Sequence, residues 1–154
     1  MKDVFKIYLP SLNATKKIAE KLALVTEKQL FISLRGNLGS GKTTFAKYFI
    51  TKLLEKKINV TSPSFPIVNL YEMENKKIWH YDLYRLKNPS EVFSLDFDRA
   101  LNDIILIEWP EIIEEFLPKN RIEIKFSECE NFKFFLEIKF LGKCSVREKF
   151  RKNG

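Results

Sequence analysis

Residues 30–55 read LFISLRGNLGSGKTTFAKYFITKLLE, and this stretch contains the strongest structural signal in the chain. Its first part, Leu30 to Leu34, is a short apolar run of the kind that forms a buried parallel strand. Its last part, from Lys42 to about Glu55, spaces apolar side chains at helical intervals. GNLGSGKTT, Gly36 to Thr44, connects the two parts, so the sequence predicts a strand, a glycine-rich loop and a helix in that order.

The glycine-rich loop satisfies the phosphate-binding pattern GxxxxGKS/T in full. Glycines let backbone N–H groups approach phosphate oxygens, and the helix that begins at Lys42 adds the positive end of its dipole. Lys42 is expected to contact the β and γ phosphates, and the Thr43 hydroxyl to coordinate Mg²⁺. The sequence therefore predicts a site for a nucleoside triphosphate with magnesium. Its predicted contacts are Asn37, Leu38, Gly39, Ser40, Gly41, Lys42, Thr43 and Thr44.

Magnesium also needs a carboxylate at the end of a neighbouring strand, and two acids qualify. Glu108 directly follows the apolar run Ile104 to Ile107. Asp82 lies in HYDLYR, and a strand carrying His80 and Asp82 at a spacing of two points both to one side. Either acid can serve the metal while the other orients the attacking water, and the sequence leaves the two roles open.

Three side chains near these acids have two interpretations each. His80 is the only histidine in the chain, and we expect a packed, hydrogen-bonded residue rather than a catalytic one. Arg85 either approaches the γ phosphate or pairs with an acid, and we expect the pairing. Trp109 directly follows Glu108 and either flanks the nucleotide or packs under the helix that Pro110 begins. We include Trp109 among the nucleotide-binding candidates.

The rest of the chain adds further strands and helices. Strands are predicted at Val4 to Leu9, Ile67 to Tyr71, Ile78 to Tyr84 and Ile104 to Ile107. Helices are predicted after Ser11, from about Pro89 with Asn88 as its cap, and from Pro110 to Phe116. Alternating apolar residues at Ile122 to Phe126 and Phe132 to Phe140 predict an antiparallel hairpin. Val60 to Phe65 is expected to be an exposed, ordered loop.

Fully apolar runs and alternating runs together indicate a sheet that is parallel at its centre and antiparallel toward its edges. We therefore predict an α/β protein with a P-loop NTPase-like three-layer fold, in which helices cover both faces of a mixed sheet. At 154 residues with 45% hydrophobic residues, the chain has the size of a single domain, residues 1–154.

Charge and composition indicate where in the chain charge is concentrated and argue against a secreted, membrane-spanning or disulfide-bonded protein. The net charge is +7, but acids dominate from Glu91 to Glu115 and bases from Lys139 to Lys152. The basic segment from about residue 141 is expected to be a solvated tail, with a contact to tRNA or a partner as the alternative. The N-terminus lacks a signal-peptide core and no run is long enough to span a membrane. Cys129 and Cys144 have no metal-binding spacing, so we expect free thiols in a soluble, cytoplasmic protein.

Four motifs, in this order and at this spacing, resemble one family: GNLGSGKTT (36–44), VTSPSF (60–65), HYDLYRL (80–86) and IEWPE (107–111). Together they look like the bacterial TsaE (YjeE) family, the ATPase component of tRNA threonylcarbamoyladenosine biosynthesis. The first motif is shared with all P-loop proteins, whereas the third and fourth are far more particular. Ser64 stands where the family usually has threonine, and Leu95 and Asp96 stand where a glycine often follows the helix.

The resemblance implies an ATPase that works with the TsaD–TsaB threonylcarbamoyl-transferase complex, which modifies the adenosine next to the anticodon of tRNA. It implies that Lys42 contacts the phosphates of ATP and that Thr43 and Glu108 serve Mg²⁺. Asp82 would support hydrolysis, Trp109 would matter for activity, and VTSPSF would be a nucleotide-sensing loop. Contact with tRNA is expected to be indirect or through a basic surface.

Two other functions are compatible with the residues themselves. Small-molecule and nucleoside kinases are also short P-loop α/β proteins, although the sequence has no arginine-rich lid segment and no acceptor-pocket motif. A non-catalytic module, in which bound ATP only holds a protein interface together, is the second alternative.

Overall fold

The computed structural model describes residues 4–56, 59–63 and 67–152, which form one mixed sheet of seven strands covered by helices. The strands in chain order are β1 (Val4–Leu9), β2 (Leu30–Arg35), β3 (Val68–Met73), β4 (Lys76–Asp82), β5 (Ile104–Glu108), β6 (Arg121–Cys129) and β7 (Lys133–Leu141). In space they follow the order β1-β7-β6-β2-β5-β4-β3. Strands β6, β2, β5 and β4 pair in parallel, whereas β1, β7 and β3 join by antiparallel pairing. The predicted parallel centre and antiparallel edges are confirmed.

Helices cover both faces of the sheet. They are α1 (Leu12–Leu24), α2 (Lys42–Leu54), α3 (Phe97–Ala100) and α4 (Val146–Lys152). Alternate residues of β5 separate the two cores: Ile104 and Leu106 pack with α1, α2 and α4, whereas Ile105 and Ile107 pack with α3. The predicted three-layer class is therefore confirmed. Among the described residues, no helix combines the length and the apolar character that crossing a bilayer requires.

Two of the predicted helices are 3₁₀ helices. Pro89–Leu95 and Pro110–Phe116 lie at the predicted positions, and Asn88 caps the first one as expected. They bury only one and two side chains respectively, so no long apolar stripe demands an α-helix. Asp96 ends the first segment with φ 59° and ψ 27°, a left-handed conformation. Glycine adopts this conformation without the strain that other residues incur.

The loop predicted from Val60 to Phe65 is described only as far as residue 63. Residues 59–63 have no regular structure, as expected. Val60 is 4% exposed and Pro63 is also buried, so the prediction of an exposed loop is wrong for both. Val60 is buried because it joins the apolar core beneath α2. Ser64 and Phe65 lie outside the described residues.

The prediction of a solvated tail from about residue 141 is wrong for one side of that segment. Val146 and Phe150 in α4 are 2% and 1% exposed. The Phe150 ring lies 5.6 Å from the rings of both Phe5 and Phe140. Apolar residues four apart share one face of a helix, and here that face packs on the sheet while Lys149 stays exposed.

The uneven charge of the sequence becomes a difference between the two faces of the sheet. Basic residues outnumber acidic ones in α1, α2 and α4, which cover one face. Acidic residues outnumber basic ones in Pro110–Phe116, which packs against the other. The molecule is therefore basic over one helical layer and acidic over part of the other.

Both cysteines are free thiols, as predicted, with Cys129 exposed and Cys144 partly buried. Burial raises the pKa of the Cys144 thiol. Because the thiolate is the reactive form, this shift disfavours metal binding or oxidation at Cys144.

Candidate functional site

The candidate site lies where the parallel strands end. Strand β2 runs into the glycine-rich loop, and β5 and β4 end in Glu108 and Asp82. In the register of the sheet, Glu108 lies opposite Leu34 on one side and opposite Asp82 on the other. The carboxyl ends of parallel strands share one edge of a sheet, and α/β proteins bind ligands at such edges. The two acids picked out from the sequence therefore meet beside the loop.

The backbone of the loop requires glycine at two points. Gly36 has φ +149°, and a Cβ atom there would lie 2.6 Å from Ser40 Oγ and 3.0 Å from the Phe126 carbonyl oxygen. Gly41 has φ +110° directly before Lys42, the first residue of α2. These conformations are open to glycine and strained for other residues. They let the chain turn from β2 into α2, whose first N–H groups have no partner within the helix and can bind an anion.

A cleft of about 430 Å³ opens beside the loop, a volume within the range of small-molecule sites. Its walls are Leu38, Gly39, Ser40, Gly41, Lys42, Thr43, Thr44, Ser62, Asp82, Tyr84, Arg85, Glu108 and Trp109. All the predicted site residues are described, and among them only Asn37 lies off the wall. The Asn37 carbonyl oxygen instead accepts hydrogen bonds from the Ser40 N–H and the Lys42 ammonium group, each at 3.1 Å.

The Glu108 carboxylate is 2% exposed and is held at both of its oxygens. The Thr43 hydroxyl donates to Oε1 at 2.7 Å, and His80 Nε2 lies 2.6 Å from Oε2. His80 is fully buried, so the prediction of a packed, hydrogen-bonded histidine is confirmed.

Thr43 and Glu108 present hard oxygen donors side by side, the ligand type that Mg²⁺ prefers. Within the described part of the chain, no group of three or more His, Cys, Asp and Glu side chains could hold a metal ion. Magnesium at a phosphate site keeps several waters and takes only one or two carboxylates, so this donor pair fits that ion.

Asp82 is also fixed at both carboxylate oxygens. Ser62 Oγ donates to Oδ2 at 3.0 Å, and the Tyr84 N–H donates to Oδ1 at 3.1 Å. The residue is 8% exposed and lies on the cleft wall. Because Ser62 belongs to the segment 59–63, Asp82 connects that segment to the end of β4.

The Lys42 side chain points into the site and is only 5% exposed. Its ammonium group donates to two carbonyl oxygens of the loop and lies 3.7 Å from the centroid of the Trp109 ring. Burial lowers the pKa of Lys42, and nearby carboxylates, Glu108 foremost, partly oppose that shift. The cation–π contact and the carbonyl oxygens together hold the ammonium group at the cleft.

Trp109 lies on the cleft wall and is also partly buried against the core that contains Ile113. The expected packing of this side chain is observed, and its place beside a nucleotide stays a prediction. Its φ of 61° turns the chain out of β5, and its ring lies 5.0 Å from that of Tyr84. Arg85 is exposed on the same wall, and no acid among the described residues is within ion-pair distance of it. The predicted pairing of Arg85 with an acid is therefore wrong for the described residues.

Sequence reasoning missed two features of the site. The contact between His80 and Glu108 had a signal, since the spacing of His80 and Asp82 already placed both on one side of a strand. The second is a recess of about 340 Å³ between the start of α1 and the loop, which shares part of the loop with the cleft. Its walls are Leu9, Pro10, Ser11, Leu12, Thr15, Gly39, Ser40, Gly41, Thr44 and Phe134. They come from three distant segments, so no local pattern reveals the recess.

The sheet, the loop and the helices define a three-layer α/β protein with a P-loop NTPase-like fold. The family model "Threonylcarbamoyl adenosine biosynthesis protein TsaE" matches residues 9–133, and the chain belongs to this TsaE family of tRNA threonylcarbamoyladenosine biosynthesis. A TsaE protein of Rickettsia conorii is 40% identical over 131 residues, 84% of this chain and 75% of the relative. One from Bacillus subtilis is 38% identical over 110 residues, 71% of this chain and 69% of the relative. The crystal structure of Bacillus subtilis YdiB superposes with a TM-score of 0.80 at 26% identity, covering 99% of this chain and 95% of YdiB.

Proposed function

We propose that this protein hydrolyses ATP with Mg²⁺ in the cleft, in association with TsaD and TsaB during threonylcarbamoyladenosine modification of tRNA. The observation that carries the proposal is the meeting of Lys42, Thr43 and Glu108 at the start of α2, with Asp82 beside them. An ammonium group, a hydroxyl and two carboxylates around a helix N-terminus are the groups that phosphoryl transfer uses. Membership of the TsaE family supports the biological setting.

The start of α2 is the expected place for the triphosphate, since loop N–H groups and the helix dipole favour negative charge there. Lys42 would exchange its two loop carbonyl oxygens for phosphate oxygens, which accept stronger, charge-assisted hydrogen bonds. Mg²⁺ held by Thr43 and Glu108 would neutralise charge on the phosphates. Trp109 flanks Lys42, which supports its assignment to the nucleotide-binding residues.

The hydrogen bonds favour a division of roles between the two acids. Glu108 contacts Thr43 directly, so we assign it to the metal. Asp82 lies one strand farther from the loop and contacts Ser62, so we assign it to orienting the attacking water. A change at Asp82 on nucleotide binding would reach residues 59–63 through Ser62, in keeping with a nucleotide-sensing role for that segment.

The recess beside the loop is the place we propose for the nucleoside. It adjoins the cleft through Gly39, Ser40, Gly41 and Thr44, so one ligand can occupy both. Pro10 and Phe134 give it apolar walls suited to the faces of a purine ring.

The test is phosphate release from ATP by the protein alone and then with TsaD and TsaB. Lys42→Ala and Thr43→Ala should each lower turnover by at least about 100-fold, because each removes a group aimed at charge in the transition state. Lys47→Ala removes an exposed lysine from the same helix and should leave turnover unchanged. Near-normal turnover in either site variant would contradict the assignment, and no stimulation by TsaD and TsaB would contradict the partnership.

The same assay separates the alternatives. Transfer of the γ phosphate to a small acceptor, with little free phosphate, would identify a kinase instead. Full support of threonylcarbamoyl transfer over many turnovers by a non-hydrolysable ATP analogue would identify a non-catalytic module.

A further inference from the structure

We propose that His80 is a positioning residue for Glu108: its buried imidazole fixes one carboxylate oxygen so that the other one faces Thr43. This inference rests on the proposed function, in which Glu108 serves the metal. It concerns a residue that sequence reasoning treated as part of the core.

The sheet places the imidazole beside Glu108 on the side away from Thr43. His80 on β4 lies opposite Leu106 of β5, two residues before Glu108, in the parallel register. Its Nε2 lies 2.6 Å from Glu108 Oε2, while Thr43 Oγ1 donates to Oε1. The carboxylate is therefore held between a strand and a helix, with one contact at each oxygen.

The surroundings of the ring indicate which of its two nitrogens carries the proton. His80 is 0% exposed, and its Nδ1 has no hydrogen-bond partner among the described residues. A proton on Nδ1 would be a buried donor with nothing to bind, whereas a bare Nδ1 is the less costly arrangement. The proton thus belongs on Nε2, where it is donated to Glu108 Oε2.

A glutamate side chain has three rotatable bonds, and without His80 the buried Oε2 atom would have no donor among the described residues. Ordered carboxylate ligands depend on such outer hydrogen bonds, and losing one typically lowers metal affinity about 10- to 100-fold. His80 would thereby set the direction of Glu108 without touching the nucleotide itself.

Two variants separate positioning from packing. In His80→Gln the amide nitrogen is as many bonds from the backbone as Nε2, so it can still donate to Glu108. In His80→Asn the amide nitrogen is only as many bonds from the backbone as Nδ1, so it cannot reach Glu108 Oε2. Calorimetry with a non-hydrolysable ATP analogue, in Mg²⁺ and in EDTA, gives the gain in affinity that Mg²⁺ provides.

His80→Asn should reduce that gain by about 10-fold or more with affinity in EDTA unchanged, and His80→Gln should keep most of it. Equal losses in both variants, or an unchanged gain in His80→Asn, would overturn the positioning role.

A second measurement decides the inference without nucleotide. The chain has one histidine, so its ring resonances in an NMR spectrum are unambiguous. The Nε2 proton should appear far downfield and move upfield in Glu108→Gln, because a neutral amide is a weaker acceptor. An unmoved resonance would refute the contact. A wild-type protein with no gain in affinity from Mg²⁺ would instead refute the proposed metal site, and the NMR result would still stand.

Discussion

Replacing Phe150 by alanine should destabilise the protein strongly, although the residue lies in a segment that reads as a charged tail. The side chain is 1% exposed and contacts the rings of Phe5 and Phe140. The Lys21 ammonium group also lies 4.2 Å from its ring centroid. Truncation would therefore leave a cavity where β1, β7 and α4 meet.

The size of the effect follows from that burial. Truncating a buried phenylalanine to alanine costs about 3–5 kcal/mol, the sum of lost transfer free energy and the cavity left behind. Helix α4 is short and can settle toward β1, so we expect the lower figure, about 3 kcal/mol. For a chain of this length that loss corresponds to a fall of about 6–12 °C in the midpoint of thermal unfolding.

Urea unfolding followed by circular dichroism measures the effect, and the chain supplies a matched control. Phe132 is 84% exposed, so Phe132→Ala should change the free energy of unfolding by no more than about 0.5 kcal/mol. The m-value should be the same in both variants, because the fold is retained. A loss below about 1 kcal/mol for Phe150→Ala, or equal losses for the two variants, would refute the packing of α4.

Two further changes test other parts of the fold. Burial raises the pKa of the Glu123 carboxyl, but hydrogen bonds and ion pairs with Arg121 and Arg35 outweigh burial and hold that pKa below its usual range. The contribution of Glu123 to the free energy of unfolding is therefore complete above about pH 5 and is lost as the pH falls through the lowered pKa. In urea unfolding, the free energy of unfolding of Glu123→Gln should be about 1–3 kcal/mol below that of wild type at pH 7, and the difference should shrink in acid. A difference that does not change with pH would contradict the ion-pair account. Asp96→Gly removes the backbone strain of a left-handed aspartate and should raise the free energy of unfolding by up to about 1 kcal/mol. A lower thermal midpoint in this variant would show instead that the Asp96 side chain stabilises the turn.

Much of the fold could be predicted because its signals are local. The run Leu30 to Leu34, the glycines that follow and the helix from Lys42 form one continuous stretch, and alternation from Ile122 to Phe140 defines a hairpin. Glu108 could be placed beside the loop because an apolar run ends directly before it. In each case a few consecutive residues determine the conformation.

The rest depends on contacts between distant residues. The burial of Phe150 requires Phe5 and Phe140, which lie in strands at opposite ends of the sequence. Whether Arg85 reaches an acid depends on how the ends of distant strands are arranged in space, and no acid in the described part of the chain lies within ion-pair distance of it. Neither outcome leaves a pattern in neighbouring residues, because side-chain pairing across a sheet has no fixed sequence spacing.

Pairing of the first strand with the last one constrains how the protein is made. Val4 lies opposite Lys139, so β1 leaves the ribosome long before β7, its hydrogen-bonding partner, exists. At a synthesis rate of about 5–20 residues per second, that wait is on the order of ten seconds. During it β1 presents an open strand edge that other chains can join, and the sheet closes only by a slow, long-range search.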